Sequence, residues 1–382
     1  MKEIKSKFYV LIIFLPIILF LFLAESSAWL LGETIPHEKL AKRQKLDSHL
    51  LVFTQQPYYT LKLARYTEEK PEVVWIGTSR SMHARSAMFE PYHFYNACLT
   101  AWTFDQLTEY LKLTLSAHKP RVVIFSLDYF MFAPGWIISR KHQNDFHTNF
   151  SYDDHLKALG SFLRFSAKSP KETLGKLIHY FNNKKFTSTE QNQNLIGMPA
   201  IMEQLGVRYD GSFQLSSLEI RNSAKNITKN SFIASVPGAP SIDPKQIEAL
   251  KRFAQLAKEN NVVLVGIALP ILKDGLDYLD NEKSYWDYSG VWRDFNKPEM
   301  RQLFKEHGIH FFDAQRVAYH DKTTFVEASH PSEKGILSTL LFLKKDPEFR
   351  NIFDKLDYAS LEKEYQNTIE KKLSFEVYKD RF

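Results

Sequence analysis

Four short apolar runs constrain what this chain can fold into. Val73-Val74-Trp75-Ile76 ends at Gly77, Arg121 to Leu127 ends at Asp128, Asn261 to Leu269 ends at Pro270, and Ile309 to Phe312 ends at Asp313. Each is short, apolar on both faces and rich in β-branched residues, the pattern of strands buried inside a parallel sheet. Helical patterns lie between them. Phe104, Leu107, Leu111 and Leu115 share one face. Asp243 is placed to cap a helix with Pro244 in its first turn and Ile247, Leu250, Ala254 and Ala257 along one side. A short helix over Pro298–His307 is stopped by Gly308. Alternating strands and helices predict an α/β fold, a doubly wound, mostly parallel sheet with helices on both faces.

The rest of the chain is arranged around that frame. Residues 1–7 carry Lys2, Lys5 and Lys7, and residues 8–31 begin with the almost unbroken apolar run Phe8–Ala24. Its 17 residues approach the ~20 that span a bilayer as a helix. The lysines before it predict a cytosolic N-terminus, with everything after residue 31 on the periplasmic or extracellular side. Two readings stay open, an uncleaved single-pass anchor and a cleaved signal segment with Ser26-Ser27-Ala28 as the cleavage site; both export the body. Residues 32–70 read as a helical connector, 71–346 as the α/β domain, 137–240 as a mostly helical insertion within it with a turn at Asp210-Gly211, and 347–382 as a charged helical tail.

The formal charge of +6 is spread along the chain, with no Lys/Arg block interleaved with aromatics and no zinc-finger or RNA-binding motif, so nucleic acid is not an expected partner. Cys98 is the single cysteine: it has no internal disulfide partner, and its expected place is a buried apolar site. The insertion's His142, His147 and His155 lack metal-site spacing. Neither a metal nor a cofactor is expected.

In open α/β sheets, ligands bind at the carboxyl ends of the strands. The first strand ends in Gly77-Thr78-Ser79-Arg80-Ser81. A glycine there permits a tight turn and leaves Ser79 projecting from the strand–helix junction beside free N–H groups, as a nucleophile with a partial oxyanion hole requires. The same pattern also makes an ordinary capping turn. Near the end of the chain stands Glu327-Ala328-Ser329-His330-Pro331-Ser332-Glu333-Lys334-Gly335. Pro331 keeps His330 out of helical geometry, in a loop just before a helix. A carboxylate three residues earlier, Glu327, is placed to hold the far nitrogen of the imidazole. Asp128 either caps the next turn or pairs with Arg80 or Arg85.

These two stretches resemble the first and last sequence blocks of the SGNH (GDSL-type) hydrolase superfamily, and the membrane-anchored layout is similar to its exported branch linked to O-acetylation of cell-surface polymers. The resemblance covers roughly residues 71–345 outside the insertion and implies a flavodoxin-like sheet. It implies Ser79 as nucleophile, His330 as general base and Glu327 as the acid that orients it. Asn96, Ala101, Asp128 and Arg80 become the oxyanion or substrate-binding candidates. The chain departs from the family pattern in having Thr78 and Glu327 where the family has Asp, no glycine in Asn96–Ala101, and Asp128 where the family has an asparagine donor. The implied function is an esterase or O-acyltransferase. Its expected substrate is an envelope glycan or small ester, with a membrane acyltransferase as an expected partner. The rival expectation is a catalytically degraded module of the same fold that binds glycan or serves as a scaffold.

Overall fold

The computed structural model describes residues 2–47, 50–54, 58–140, 150–183, 186, 194–215, 238–281, 286–327 and 329–370. They form two compact units, one of residues 1–57 with 149–209, the other of residues 58–148 with 210–382. The first unit therefore draws on the N-terminal segment and on part of the expected insertion. Residues 32–70, read as one connector, divide between the two: the helix His37–Asp47 belongs to the first unit, and the helix Tyr58–Glu69 to the second.

The second unit is the α/β body. Its sheet holds β1 (Val73–Gly77), β2 (Phe94–Cys98), β3 (Val122–Ser126), β4 (Val263–Ala268) and β5 (Ile309–Asp313). All pairings are parallel, in the order β2-β1-β3-β4-β5. Four of these strands are the four apolar runs. The fifth, β2, carries Asn96 in its middle, and that polar residue hides it from a search for unbroken apolar character.

Successive side chains point to opposite faces of the sheet, and both faces are filled. Val74, Ile76, Val123, Phe125 and Leu264 join one core, with Phe104, Leu107, Leu111, Leu250 and Phe253 from the covering helices. Val73, Trp75, Val122, Ile124, Val265 and Ile267 join the other, with Ile336, Leu337 and Leu340. Removing that much apolar surface from water on both sides is what holds the layers together. The helix starts are locally encoded. Thr103 and Gln106 form a capping box for Phe104–Ala117, and Asp243 accepts the Lys245 N–H ahead of Pro244–Glu259. The charged segment after residue 346 also contributes to the core. Phe349, Phe353 and Leu361 are buried there, so the chain is part of the body at least to Leu361.

The first unit contains the helix Lys2–Leu30, the helix pair Tyr152–Lys168 and Pro170–Asn183, and short strand pairings between Leu50–Leu51 and Leu195–Ile196. In it Glu33 is buried and accepts the Thr54 N–H (2.9 Å), the Thr54 hydroxyl (2.8 Å) and the Met198 N–H. Among the described residues no helix is long and apolar enough to cross a membrane. The start of the apolar run, residues 8–13, has no described side chains, and His142 and His147 lie outside the described residues.

Candidate active site

Gly77 ends β1 with φ +126, a conformation L side chains rarely adopt, and this turns the chain sharply out of the sheet. Thr78 follows, extended and buried, and its hydroxyl accepts the Arg80 N–H at 3.3 Å. That bond starts a single tight turn, Ser79–Ser81, closed by the Met82 N–H on the Ser79 carbonyl (3.0 Å). Gly77, Thr78, Arg80 and Ser81 are buried, whereas Ser79 is half-buried.

His330 reaches the same place from the far end of the sequence. After β5 the loop folds back on itself, with Phe325 bridged to Pro331, the Val326 N–H on the His330 carbonyl (3.0 Å) and the Ser332 N–H on the Thr324 carbonyl (2.8 Å). Ser332 then caps the helix Glu333–Leu343 by accepting the Gly335 N–H. Gly335 is required there, since a Cβ would stand 2.2 Å from the Thr324 carbonyl oxygen. The Pro-x-x-x-Gly spacing after His330 is thus the signature of a loop pinned against the first turn of a helix.

The result is a hydrogen-bonded line. Ser79 Oγ lies 2.6 Å from His330 Nε2, and His330 Nδ1 is in close contact with Glu327 Oε1. Glu327 Oε1 also accepts the Ser329 N–H (3.0 Å) and the Ser329 hydroxyl (2.6 Å). Burial pushes the Glu327 carboxyl up, but its hydrogen bond to and attraction by His330, together with the two Ser329 donors, outweigh that and hold it down at about 2. A carboxylate ionised at neutral pH fixes the proton of a neutral imidazole on Nδ1. Nε2 is then left as the acceptor for the Ser79 O–H, the geometry a general base needs.

Arg80, next to the serine, points the other way. Its side chain is buried and donates from Nε to the Ser329 carbonyl (2.9 Å), from one terminal nitrogen to the carboxylate of Asp128, and from the other to the carbonyls of Leu269 (3.2 Å) and Pro270. One guanidinium therefore ties together the ends of β3 and β4 and the histidine loop. It is a brace rather than an exposed substrate contact. Asp128 is equally buried, and of the two partners the sequence allowed it takes Arg80; Arg85 binds Glu333 (3.1 Å) and Glu364 (3.0 Å) instead. Burial raises the Asp128 pKa, with Arg80 and His330 opposing, and its second oxygen has no hydrogen-bond partner among the described residues.

Two oxyanion candidates are occupied elsewhere. Asn96 is fully buried, and its amide donates to the carbonyls of Ser81 (2.8 Å) and Ala84 (2.7 Å) while its oxygen accepts the Cys98 N–H (2.9 Å). It fastens the loop after Ser79 to β2 and has no N–H left to donate. The Ala101 N–H points to the Gly77 carbonyl (3.4 Å), beside that of Thr100 (3.2 Å). Sequence reasoning missed Leu99, which stands at the end of β2 with φ +63, the left-handed region in which glycine is at home. The N–H groups of Ser79 and Leu99 take no hydrogen-bond partner among the described residues. Lys62 was missed as well. It is fully buried and donates to the carbonyls of Gly211 (2.8 Å) and Asn96 (3.3 Å), 3.1 Å from Cys98 Sγ. Burial pushes the Lys62 amine down and the Cys98 thiol up, so Cys98 is a neutral core residue.

Compared with known families, curated proteins and solved structures, the chain matches no family model, no curated protein and no solved structure. The chemistry must therefore be read from the site itself. A cleft of about 660 Å³ at the β5 edge, lined by Asp280, Trp292, Asn296, Asp313 and Arg316 among others, does not include Ser79 or His330. Geometry of the reactive groups, rather than size of a hollow, is what marks the site.

Proposed function

We propose that this chain is an exported, membrane-anchored esterase or O-acyltransferase of the SGNH type, acting on ester groups of envelope glycans. The observation that carries the reading is the 2.6 Å contact between Ser79 Oγ and His330 Nε2 in line with an ionised Glu327. The parallel strand order, with the serine at the carboxyl end of β1, supports the flavodoxin-like fold that the sequence resemblance implies. In support of the anchor, Phe14, Leu15 and every residue from Ile17 to Leu23 is an apolar side chain about half exposed or more, a state water disfavours and lipid does not.

In the proposed reaction His330 Nε2 takes the Ser79 proton as Oγ bonds to the ester carbonyl carbon. The carbonyl oxygen becomes an oxyanion facing the N–H groups of Ser79 and Leu99. The tetrahedral intermediate collapses, the C–O bond to the alcohol breaks, and His330 returns its proton to the leaving alkoxide. Water or a sugar hydroxyl then attacks the acyl-serine by the same route, giving hydrolysis or transfer.

A second reading has its own support. Asn96 and Ala101 are engaged, and Asp128 is a carboxylate where a donor is wanted. That favours a binding module with a degraded site. The test is to treat the full-length protein with a fluorophosphonate, which labels an activated serine whatever the natural substrate, and to assay a small acetyl ester. Labelling and turnover that disappear in Ser79→Ala support the enzyme. Absence of both, with glycan binding retained, supports the module.

A further inference from the structure

The proposed reaction leaves a buried amine and a buried thiol unused, and the two stand together. Lys62, on the helix Tyr58–Glu69, and Cys98, the last residue of β2, are both fully excluded from water. Their Nζ and Sγ atoms are 3.1 Å apart, although 36 positions separate them in sequence. Three elements close around the pair. Lys62 Nζ donates to the carbonyls of Gly211 (2.8 Å) and Asn96 (3.3 Å). The turn at Asp210-Gly211 is held on β2 by the Asn96 N–H, which donates to the Asp210 carbonyl (2.8 Å). A Cβ on Gly211 would stand 2.0 Å from the Asn96 carbonyl oxygen, so only glycine allows this approach.

A lysine is seldom fully buried without a carboxylate beside it. Here the amine is in contact with two carbonyls and a sulfur, and with no carboxylate among the described residues. Asp210 acts on it only through space, and its oxygens accept the N–H groups of Ser86 (2.7 Å) and Ser212 (3.0 Å). Two N–H bonds of a neutral amine serve the two carbonyls, and the nitrogen lone pair is left for the thiol. Burial favours that uncharged arrangement, lowering the pKa of the amine and raising that of the thiol. A neutral Lys62 is a base for the Cys98 proton and a nucleophile in its own right, which an ammonium is not.

We propose that Lys62 and Cys98 form a reversible covalent cross-link, in which hydrogen peroxide places one oxygen atom between Nζ and Sγ. Lys62 takes the Cys98 proton as the sulfur attacks a first peroxide. The O–O bond breaks, and a sulfenic acid and water are formed. The Nζ lone pair attacks a second peroxide in the same way, giving a hydroxylamine and water. The hydroxylamine oxygen then bonds to sulfur, the sulfenic hydroxyl leaves as a third water, and the N–O–S bridge remains. Sulfur and nitrogen each lose two electrons, and two peroxides are reduced. The 3.1 Å gap closes by a small shift of the lysine side chain, the flexible partner. Cys98 lies opposite Gly77 in the β1–β2 register and directly before Leu99, so the bridge locks the end of β2 beside the Ser79 turn. The cross-link does not depend on what Ser79 does.

The test is mass spectrometry of the full chain, purified with reductant under argon and then divided. One half stays reduced and the other is exposed to hydrogen peroxide. Both are digested without reductant. The expected result, in the oxidised half alone, is a joined pair of peptides holding Lys62 and Cys98. Their mass should exceed the sum of the two by about 14 Da, one oxygen gained and two hydrogens lost. Dithiothreitol should separate them at their original masses. Cys98→Ala and Lys62→Met should each abolish the joined species; should either variant fail to fold, the two wild-type halves decide alone. Separate peptides, with Cys98 unchanged or heavier by about 32 or 48 Da as a sulfinic or sulfonic acid, overturn the proposal. A joined pair about 2 Da lighter than the sum is a direct N–S bond and overturns the bridging oxygen.

Discussion

Two side-chain pairs meet at the end of β1, an imidazole–carboxylate pair reached through Ser79 and a guanidinium–carboxylate pair reached through Arg80. The His330–Glu327 side chains are 21% and 27% exposed, whereas those of Arg80 and Asp128 are 6% and 1% exposed. The first pair is made within one loop, three residues apart, and ends on the hydroxyl of the half-buried Ser79. The second joins segments 48 residues apart, and three further carbonyls from distant loops complete it. An imidazole can give up and regain its proton near neutrality, while a guanidinium cannot. So the open pair is suited to moving a proton, and the closed pair to holding the first in place. In particular, the Arg80 bond to the Ser329 carbonyl fixes the residue directly before His330.

The largest expected effects test the open pair. Ser79→Ala or His330→Ala should lower the rate of acetyl-ester turnover by ~10⁴-fold or more. Because the two groups act as one unit, the double variant should lose no more than either single variant. Additive losses in steady-state kinetics would show that they do not share a step.

The closed pair should show itself in stability. Arg80→Ala leaves Asp128 charged in the core, a change that costs ~3–5 kcal/mol when a buried pair loses one partner. Asp128→Leu should cost a similar amount by stranding Arg80. Replacing both at once, Arg80→Met with Asp128→Leu, should be less destabilising than either single change. Denaturant unfolding of the four proteins decides it. If Arg80→Ala unfolds at the wild-type midpoint, the contrast between a structural pair and a reactive one fails.

How much of this was legible in sequence follows from how local each feature is. The strands β1, β3, β4 and β5 announce themselves as apolar runs, and Ser79, Glu327 and His330 stand in short motifs whose turns are fixed by Gly77, Pro331 and Gly335. The engagement of Asn96 with Ser81 and Ala84 cannot be read that way, because it depends on which carbonyls a loop brings back to β2. Leu99 gives no sign of its positive φ, since leucine seldom adopts one. The joining of residues 1–57 to 149–209 is set by contacts such as Leu50 with Leu195, made across a long separation that no periodicity encodes.

The smallest effect separates the two pairs by pH. The Glu327 carboxyl is held at about 2, against an ordinary value of 4.5. A depressed carboxylate contributes stability that is full above pH 4.5 and disappears as pH falls through about 2. The pair is partly open to water, so screening leaves ~1–2 kcal/mol of that contribution. Glu327→Gln should therefore lower Tm at neutral pH and converge with wild type as pH approaches about 2. Asp128 behaves with the opposite sign, because its carboxyl is raised by burial even against Arg80. It takes up a proton at higher pH than in the unfolded chain, so moderate acid favours the folded form at that site and Asp128→Asn should lose ground on wild type as pH falls. Thermal unfolding of both variants across the acid range gives two differences that move in opposite directions. Parallel movement would mean that the two carboxylates share one environment, and the division of labour argued from their burial would not hold.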